Sequence, residues 1–195
     1  SERCRDVVAK YIGTFSTERC FETPNMHVLN DAMQKMGLRA CFMAEYFLPD
    51  VEVLRARTCG YALKIMLGED LARLDADIWS DALTGRDRER DVLGIGAYAG
   101  GELIGLAACS ADCATMWQIG VDVLPQYRRQ GVASAITSRL ALEILERGRV
   151  PFYCAAWSNI RSVRNAIRSG FRPSWVELTI KPADIVERMN NRIIL

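Results

Sequence analysis

Residues 125–136 (PQYRRQGVASAI) place two arginines, a glutamine, a glycine and several small residues directly after the strand-like run WQIGVDVL. Glycine lets an anion approach the backbone closely. The first N–H groups of a helix lack intrahelical partners and carry partial positive charge. This geometry suits a pyrophosphate, with Arg128 and Arg129 as further cationic donors. The alternative is an ordinary strand-to-helix connection whose charges are solvated.

Other chemical motifs are a poor match. The turn lacks the lysine and Ser/Thr of a P-loop, and it lacks the GxGxxG of a dinucleotide site. His27 is the single histidine, so a Ser-His-Asp or Cys-His site would have to be built on it. Cys109 and Cys113 are four residues apart rather than in a CxxC pair, so we expect no metal site.

The elements that must position the turn follow from apolar periodicity and from glycine or proline stops. The first 37 residues predict two helices, and residues 39–48 predict a buried strand. In residues 69–83, helical periodicity would place four apolar side chains on one face: Leu71, Leu74, Ile78 and Leu83. Beyond residue 91 the pattern predicts, in order, a hairpin at Gly100-Gly101, a strand at 116–123, a helix ending at Gly148, a strand at 151–157, a helix ending at Gly170 and a last strand.

Composition fits one globular domain, or one domain with an extension. The chain has 195 residues, half of them hydrophobic, and a formal net charge of +1. This charge gives no footprint for nucleic acid or an anionic membrane. No apolar stretch reaches the roughly 18 residues that span a bilayer, and residues 1–10 are too charged for a signal peptide. We therefore expect a cytoplasmic protein without nucleic-acid or membrane partners.

The seven cysteines indicate a reducing compartment. Their number is odd, and several lie in apolar runs such as LIGLAACS and FYCAAW. A disulfide framework usually has an even count. We expect buried, free thiols.

Read as a whole, residues 91–182 resemble the GNAT superfamily of acyl-CoA-dependent N-acyltransferases. The family's phosphate-binding pattern Q/R-x-x-G-x-G/A reads Arg128-Arg129-Gln130-Gly131-Val132-Ala133 here, after a strand that ends Val123-Leu124-Pro125. The family's downstream pattern matches Asn159, Ser162, Gly170 and Phe171. Residues 38–90 match loosely, and residues 1–37 are not covered. The resemblance implies a 1–37 helical extension and a 38–195 GNAT domain.

The resemblance also implies an α/β fold and a binding mode for acetyl-CoA as cosubstrate. A mixed central sheet with flanking helices would contain a splayed parallel pair, residues 116–123 and 151–157. Backbone groups of this pair would hold the pantetheine arm. The cofactor-binding residues implied are Val121, Val123, Arg128, Arg129, Gln130, Gly131, Val132, Ala133, Ser134, Asn159 and Ser162.

The family pattern breaks at its general acid. Many members carry a tyrosine seven residues after the asparagine, where this chain has Ala166. Tyr153 is the nearest substitute as acid, although the pattern favours an ordinary half-buried strand tyrosine at this position. Asp122 is a candidate base because an Asp in an apolar strand needs compensation, either from function or from a structural hydrogen bond. Glu45, in the run FMAEYF, is a weaker candidate.

The resemblance implies an N-acetyltransferase in which an amine attacks acetyl-CoA directly in a ternary complex. The amide of Val123 would stabilise the developing oxyanion. The alternative is a non-catalytic acyl-CoA-binding sensor or interaction module, which the missing tyrosine would suit. The sequence names no acceptor amine, and it leaves open whether the chain forms a homodimer.

Overall fold

The computed structural model describes residues 2–85 and 87–191, so the last four residues of the predicted 38–195 domain lie outside the described part. Six helices occur in that part: α1 (Arg5–Thr14), α2 (Thr23–Gln34), α3 (Gly68–Ala72), α4 (Val132–Glu146), α5 (Ile160–Arg168) and α6 (Ala183–Asn191). Seven strands accompany them: β1 (Leu38–Pro49), β2 (Ala62–Leu67), β3 (Asp91–Ala99), β4 (Glu102–Ser110), β5 (Met116–Val123), β6 (Val150–Ala156) and β7 (Phe171–Pro182). None of the described helices has the length and hydropathy needed to cross a bilayer.

The chain divides into two compact units, residues 1–43 with 177–195, and residues 44–176. In the first unit, α1 and α2 bury Tyr11, Leu29 and Met33 in a small core of their own. The Tyr11 hydroxyl donates to the Cys20 carbonyl at 2.5 Å and fixes the loop between the two helices. Both predicted N-terminal helices are confirmed, while the domain boundary at residue 37 stays a prediction.

The seven strands form one mixed sheet in the order β2-β3-β4-β5-β6-β1-β7. Neighbours from β2 to β5 pair antiparallel, as do β6 and β1, whereas β5 and β6 pair parallel. The predicted hairpin joins β3 to β4 through Gly100 and Gly101, both at positive φ. The mixed α/β architecture and its parallel pair are therefore confirmed.

The two faces of the sheet in residues 44–176 are covered differently. On one side, which we call the α4 face, Ile104, Ile119 and Val121 belong to a core that also contains residues of α4 and of α5. On the other side, which we call the Trp79 face, Leu106 and Ala108 pack against the segment around Trp79, Ala82 and Leu83. Because side chains alternate along a strand, neighbouring residues of β5 point to opposite faces.

The predicted helix over residues 69–83 is wrong beyond its first turn. Only α3 is helical, and the chain then runs through turns to residue 85. Leu71 and Leu83 are buried as expected, but Ile78 is 56% exposed. The carboxylates of Asp122 and Asp91 accept hydrogen bonds from backbone N–H groups in residues 81–84. For the Asp81 and Thr84 amides, a carboxylate on a strand thus replaces the carbonyl that a helix would have supplied.

The seven cysteines are all free, as predicted. The expectation of burial is correct for Cys109 alone, because Cys113 is exposed and the other five are intermediate. Burial raises the pKa of the Cys109 thiol to about 12. This thiol therefore stays protonated and serves as a core residue.

Candidate active site

The parallel strands β5 and β6 separate partway along their length. Their ladder runs from Met116–Val150 to Ile119–Tyr153, and no later pair is found among the described residues. Beyond this point β5 stays paired with β4 as far as Val123, and β6 stays paired with β1 as far as Ala156. The two strands therefore splay and leave a cleft whose apex lies beside Gly120 and Cys154.

The backbone of Val121 and Val123 faces this cleft. The Leu124 N–H donates to the Ile104 carbonyl on the β4 side at 3.0 Å. Backbone groups alternate in direction along a strand, so those of Val121 and Val123 point away from β4 and toward β6. The Nε of Arg128 donates to the Val123 carbonyl at 2.9 Å. The Val123 amide and both polar groups of Val121 thus face the cleft without a β-ladder partner.

The turn after β5 collects backbone N–H groups at the start of α4. A short 3₁₀ helix, Pro125–Tyr127, precedes Arg129 at φ 62° and Gly131 at φ 82°. These left-handed residues turn successive amides inward, as in an anion-binding nest. In the described part of the chain, the next amide after Arg128 that has an intramolecular backbone acceptor is that of Ala135, which donates to the Gly131 carbonyl at 3.1 Å. The amides of residues 129–134 are therefore available to an anion at the N-terminus of a 15-residue helix.

Side chains of the turn hold its shape. The Tyr61 hydroxyl donates to Gln130 Oε1 at 2.6 Å, and Gln130 Nε2 donates to the Gln126 carbonyl at 3.1 Å. Ser134 Oγ donates back to the Gly131 carbonyl at 3.0 Å. The side chains of Gln130 and Ser134 therefore stabilise the loop, and the backbone N–H groups of these two residues are left for a ligand. Sequence reasoning missed Tyr61, which comes from a distant segment.

Asn159 and Ser162 lie together at the N-terminus of α5. Asn159 caps this helix, and its Oδ1 accepts from the Ser162 N–H at 3.2 Å. The Ser162 hydroxyl lies 2.8 Å from the Tyr153 hydroxyl. The structure thus joins three residues that the sequence singled out separately. A ligand contact by Asn159 or Ser162 stays a prediction.

Tyr153, the predicted general acid, is buried beneath α5. It is 2% exposed and packs edge-on against Phe47 on the α4 face. Burial raises the pKa of its phenol above the ordinary value, outweighing the hydrogen bond with Ser162 that lowers it. Ala166, at the family's tyrosine position, is fully buried. The buried Tyr153 hydroxyl interacts with the side chains of Ser162 and Asn165, so a proton donated to a ligand would have to pass these neighbours or follow a movement of α5.

Asp122, the predicted base, holds the segment that lies across the Trp79 face. Its Oδ2 accepts from the Asp81 N–H at 2.8 Å and from the Ala82 N–H at 2.9 Å. Burial raises the pKa of this carboxyl above its ordinary value, although both amides and Arg128 lower it. These bonds supply the compensation that a carboxylate in an apolar strand requires. A catalytic role for Asp122 stays a prediction.

Gly120 explains how the 81–82 backbone comes so close to β5. A Cβ built on Gly120 would lie 2.1 Å from the Asp81 carbonyl oxygen, nearer than atoms can approach. Sequence reasoning did not identify this glycine, because the residue it accommodates is 39 positions away. The only local signal is that Gly120 lies two residues before Asp122 on β5, because residues i and i+2 of a strand lie on the same face of the sheet.

Glu45, the weaker candidate base, lies on the other side of the sheet from Asp122. It pairs across β1 and β6 with Ala155, which belongs to the core of the α4 face. Cross-strand partners share a face. The structure therefore does not bring the two candidate carboxylates together. A role for Glu45 stays a prediction.

No group of three or more His, Cys, Asp or Glu side chains is arranged to hold a metal ion among residues 2–85 and 87–191. The conspicuous chemical features of the 44–176 unit are therefore the cleft, the open amides beside it, and the carboxylate-held segment on the Trp79 face.

Comparison with known proteins assigns the family. A sequence model described as GNAT acetyltransferase matches residues 25–175, which is most of the chain and begins within α2. No curated protein matches the chain. Solved structures similar to it include a GCN5-related N-acetyltransferase-like protein from Streptococcus suis, with 20% identity and a TM-score of 0.56 over 80% of this chain and 68% of that one. A GCN5-related N-acetyltransferase from Kribbella flavida has 16% identity and a TM-score of 0.60 over 77% of this chain and 62% of that one.

A GNAT-family acetyltransferase from Colwellia psychrerythraea is also similar, with 15% identity and a TM-score of 0.53. The similarity covers 74% of this chain but only 57% of that structure. At identities this low, the structural similarities establish the fold alone, and the family model establishes the family. The chain belongs to the GNAT acetyltransferase family.

Proposed function

We propose that this protein transfers an acetyl group from acetyl-CoA to an amine by direct attack in a ternary complex. The observation that carries the proposal is the row of open amides at residues 129–134, shaped by the left-handed Arg129 and Gly131 at the start of α4. A pyrophosphate has the negative charge and the acceptor oxygens that such a row binds. Family membership supports acyl transfer in general.

The direction of β5 supports a matching position for the rest of the cosubstrate. With its pyrophosphate on the turn, the pantetheine arm would run back along β5 as an added strand. Its amides would pair with the cleft-facing groups of Val121 and Val123. The arm would compete with Arg128 for the Val123 carbonyl, which Arg128 Nε occupies in this structure. The acyl end would then point toward the apex at Gly120.

The chemistry proposed requires little from side chains. A neutral amine attacks the thioester carbonyl, the new C–N bond forms, and the C–S bond breaks to release the CoA thiolate. The Val123 amide was the donor expected from the sequence, but an arm that runs from the turn toward Gly120 passes Val123 first. The Val121 amide, which faces the cleft nearer the apex, is therefore our candidate donor to the oxyanion. A thiol of pKa about 8.5 is a fair leaving group, so Tyr153 is a candidate proton donor without being indispensable.

The excess proton of the attacking amine needs an acceptor. Asp122 lies on β5 between the two cleft-facing valines, and its raised pKa makes it a stronger base than an ordinary aspartate. Its Oδ2 is held by two amides, so proton transfer would involve the other oxygen or a water molecule. We keep Asp122 as the candidate base, with Glu45 as the alternative on the other face.

Two measurements test the proposal together. Calorimetry should show CoA binding, and pantetheine, which lacks the pyrophosphate, should bind at least about 100-fold more weakly. Thiol release from acetyl-CoA should then accelerate with one or more members of a panel of amines. CoA binding without release for any amine would favour the non-catalytic module. Equal affinity for CoA and pantetheine would overturn the site itself.

A further inference from the structure

A small polar cavity opens on the Trp79 face beside the apex of the cleft. Its volume is about 200 Å³. Its walls come from the 81–84 segment, the end of β4, the following loop and the start of β5: Asp81, Ala82, Leu83, Thr84, Ser110, Asp112, Gln118 and Gly120. Gln118 belongs to the paired part of β5, and Gly120 is the first residue beyond it. The cavity therefore adjoins the point toward which the acyl end would be directed.

The charge of this cavity is negative. Asp81 and Asp112 are exposed residues of its wall, and neither forms an ion pair with another described residue. None of the described lining residues is Lys or Arg. Two unpaired carboxylates around a small space attract a cation such as an alkylammonium.

Ser110 is a second and independent sign of a ligand. The residue as a whole is 8% exposed, and its hydroxyl has no hydrogen-bond partner among the described residues. Ser110 is the cross-strand partner of Gln118, so both side chains point to the same face and line the cavity. The hydroxyl borders the open space of the cavity, where it can accept a hydrogen bond from a ligand N–H.

Gln118 adds an acceptor at the cleft side of the cavity. Its Nε2 donates to Cys154 Sγ at 3.0 Å, across the strands just where they separate. This contact directs the amide nitrogen toward β6 and leaves the amide oxygen as an acceptor. The groups that face the cavity are thus carboxylates, a hydroxyl and an amide oxygen, which suit an ammonium donor.

We propose that this cavity binds one ammonium group of a diamine or polyamine acceptor whose second amine is acetylated. This inference rests on the proposed acetyl transfer and specifies its substrate class. The attacking nitrogen must be neutral, so the nitrogen held as a cation by Asp81 and Asp112 has to be a different one. The small volume suits an alkyl chain and excludes a bulky head group. The attacking nitrogen forms the C–N bond, the C–S bond breaks, and the released proton leaves through a base or water.

The first test compares acceptors of equal length in the thiol-release assay. We expect kcat/KM for 1,4-diaminobutane to exceed that for butylamine by about 10- to 100-fold, with 4-aminobutyrate poorest because its carboxylate meets Asp81 and Asp112. The double variant Asp81→Asn/Asp112→Asn should raise KM for 1,4-diaminobutane by a similar factor and leave CoA affinity and the butylamine rate unchanged. Asp77→Asn, on the same segment but outside the cavity, is the matched control.

Direct binding separates this inference from the proposed function. Calorimetry should detect 1,4-diaminobutane bound to the wild-type protein in the presence of CoA and weakened in the double variant, whether or not transfer occurs. Absence of transfer with all amines, with this binding intact, would refute the acetyltransferase activity and retain the cation site. Equal rates for butylamine and 1,4-diaminobutane, or no effect of the double variant on binding, would overturn the cavity proposal.

Discussion

The turn at residues 124–134 and the segment at residues 79–84 both gather backbone N–H groups, but they differ in what receives them. In the 79–84 segment, the amides of Asp81 and Ala82 donate to the Asp122 carboxylate, and the amide of Thr84 donates to the Asp91 carboxylate. In the turn, the described part of the chain supplies no acceptor for the amides of residues 129–134. One amide cluster is closed by the protein's own anions, and the other is open to an external one.

This difference underlies our proposal that the cluster in the 79–84 segment is structural and that the cluster in the turn binds a ligand. Buried amides that meet an internal carboxylate anchor their segment and need no further partner. Amides at a helix start that meet none retain their hydrogen-bonding capacity and the partial charge of the helix. Substitutions in either cluster should therefore have different effects: those in the open cluster on CoA binding, and those in the closed cluster on stability or turnover.

The largest expected effect comes from placing an anion inside the open cluster. Gly131→Glu should abolish detectable CoA binding, because a carboxylate would occupy the amide row and repel the pyrophosphate. Gly148→Glu is the matched control, since Gly148 also has positive φ and follows the other end of α4 in open space. Calorimetry should show the loss for Gly131→Glu only. Unchanged CoA affinity in a folded Gly131→Glu protein would contradict the assignment.

Neutralising the anion of the closed cluster distinguishes anchoring from catalysis. If Asp122 is the base, Asp122→Asn should lower turnover by roughly two to four orders of magnitude. CoA affinity should stay nearly unchanged, because in the proposed site the cosubstrate would be held by backbone groups. The loss should shrink as the pH approaches the pKa of the amine, where free amine is already abundant. Equal turnover for wild type and variant near neutral pH would leave Asp122 as an anchor alone.

Adding a methyl group at Gly120 tests how closely the closed cluster is seated on β5. Gly120→Ala should lower the free energy of unfolding by about 1–3 kcal/mol or more, because the Asp81 carbonyl must move away from the new Cβ. Gly60→Ala is the control, since a Cβ there meets nothing within 4 Å. Urea unfolding of both variants measures the difference. Equal stability of the two would mean that the 81–82 backbone does not lie against Gly120.

The smallest effect concerns the pH dependence of the closed cluster. Burial raises the pKa of Asp122 in the folded state, so the group favours folding most below its unfolded pKa of about 3.9 and loses that contribution as pH rises through the folded pKa. Asp122→Asn removes this titration. The stability of wild type minus that of the variant should therefore decrease as pH is raised from about 3.5 toward neutrality, as measured by urea unfolding.

Glu143 on α4 supplies a comparison of opposite sign. Hydrogen bonds from Arg147 and Arg139 lower the pKa of this carboxyl, so its contribution is present above the unfolded pKa of about 4.3 and is lost as pH falls through the folded pKa. The stability of wild type minus that of Glu143→Gln should decrease on acidification. The same trend for both carboxylates would contradict the environments described for them.

The sequence predicted the open cluster well because its determinants are local. A strand, a turn with Gly131, and an amphipathic helix follow one another within about thirty residues, and periodicity identifies each of them. The positive φ of Gly131 and the stop at Gly148 follow from glycine's conformational freedom. The free state of the cysteines followed from their odd number.

The closed cluster was mispredicted because its determinants are distant in sequence. Periodicity in residues 69–83 favoured a helix, but the backbone N–H groups of Asp81 and Thr84 donate to carboxylates on β5 and β3 instead of to helix carbonyls. The burial of Tyr153 likewise depends on packing with Phe47 of β1 and Phe171 of β7, which lie outside the local sequence around β6. No local sequence pattern predicts which face of the sheet a carboxylate or an aromatic ring from another segment will contact.

By itself, the sequence determined the order of the elements from residue 91 onward, the glycine turn between β5 and α4, and the resemblance that the family match confirmed. Those properties depend on local backbone preferences and on spacing along one chain segment. The sequence did not predict strand β2 at Ala62–Leu67. The tertiary structure alone decided where β5 and β6 separate, that Asp122 and Glu45 lie on opposite faces, and that Ser110, Asp81 and Asp112 surround one cavity. These outcomes depend on strand register and cross-sheet contacts, in which residues far apart in sequence compete for the same donors and the same space.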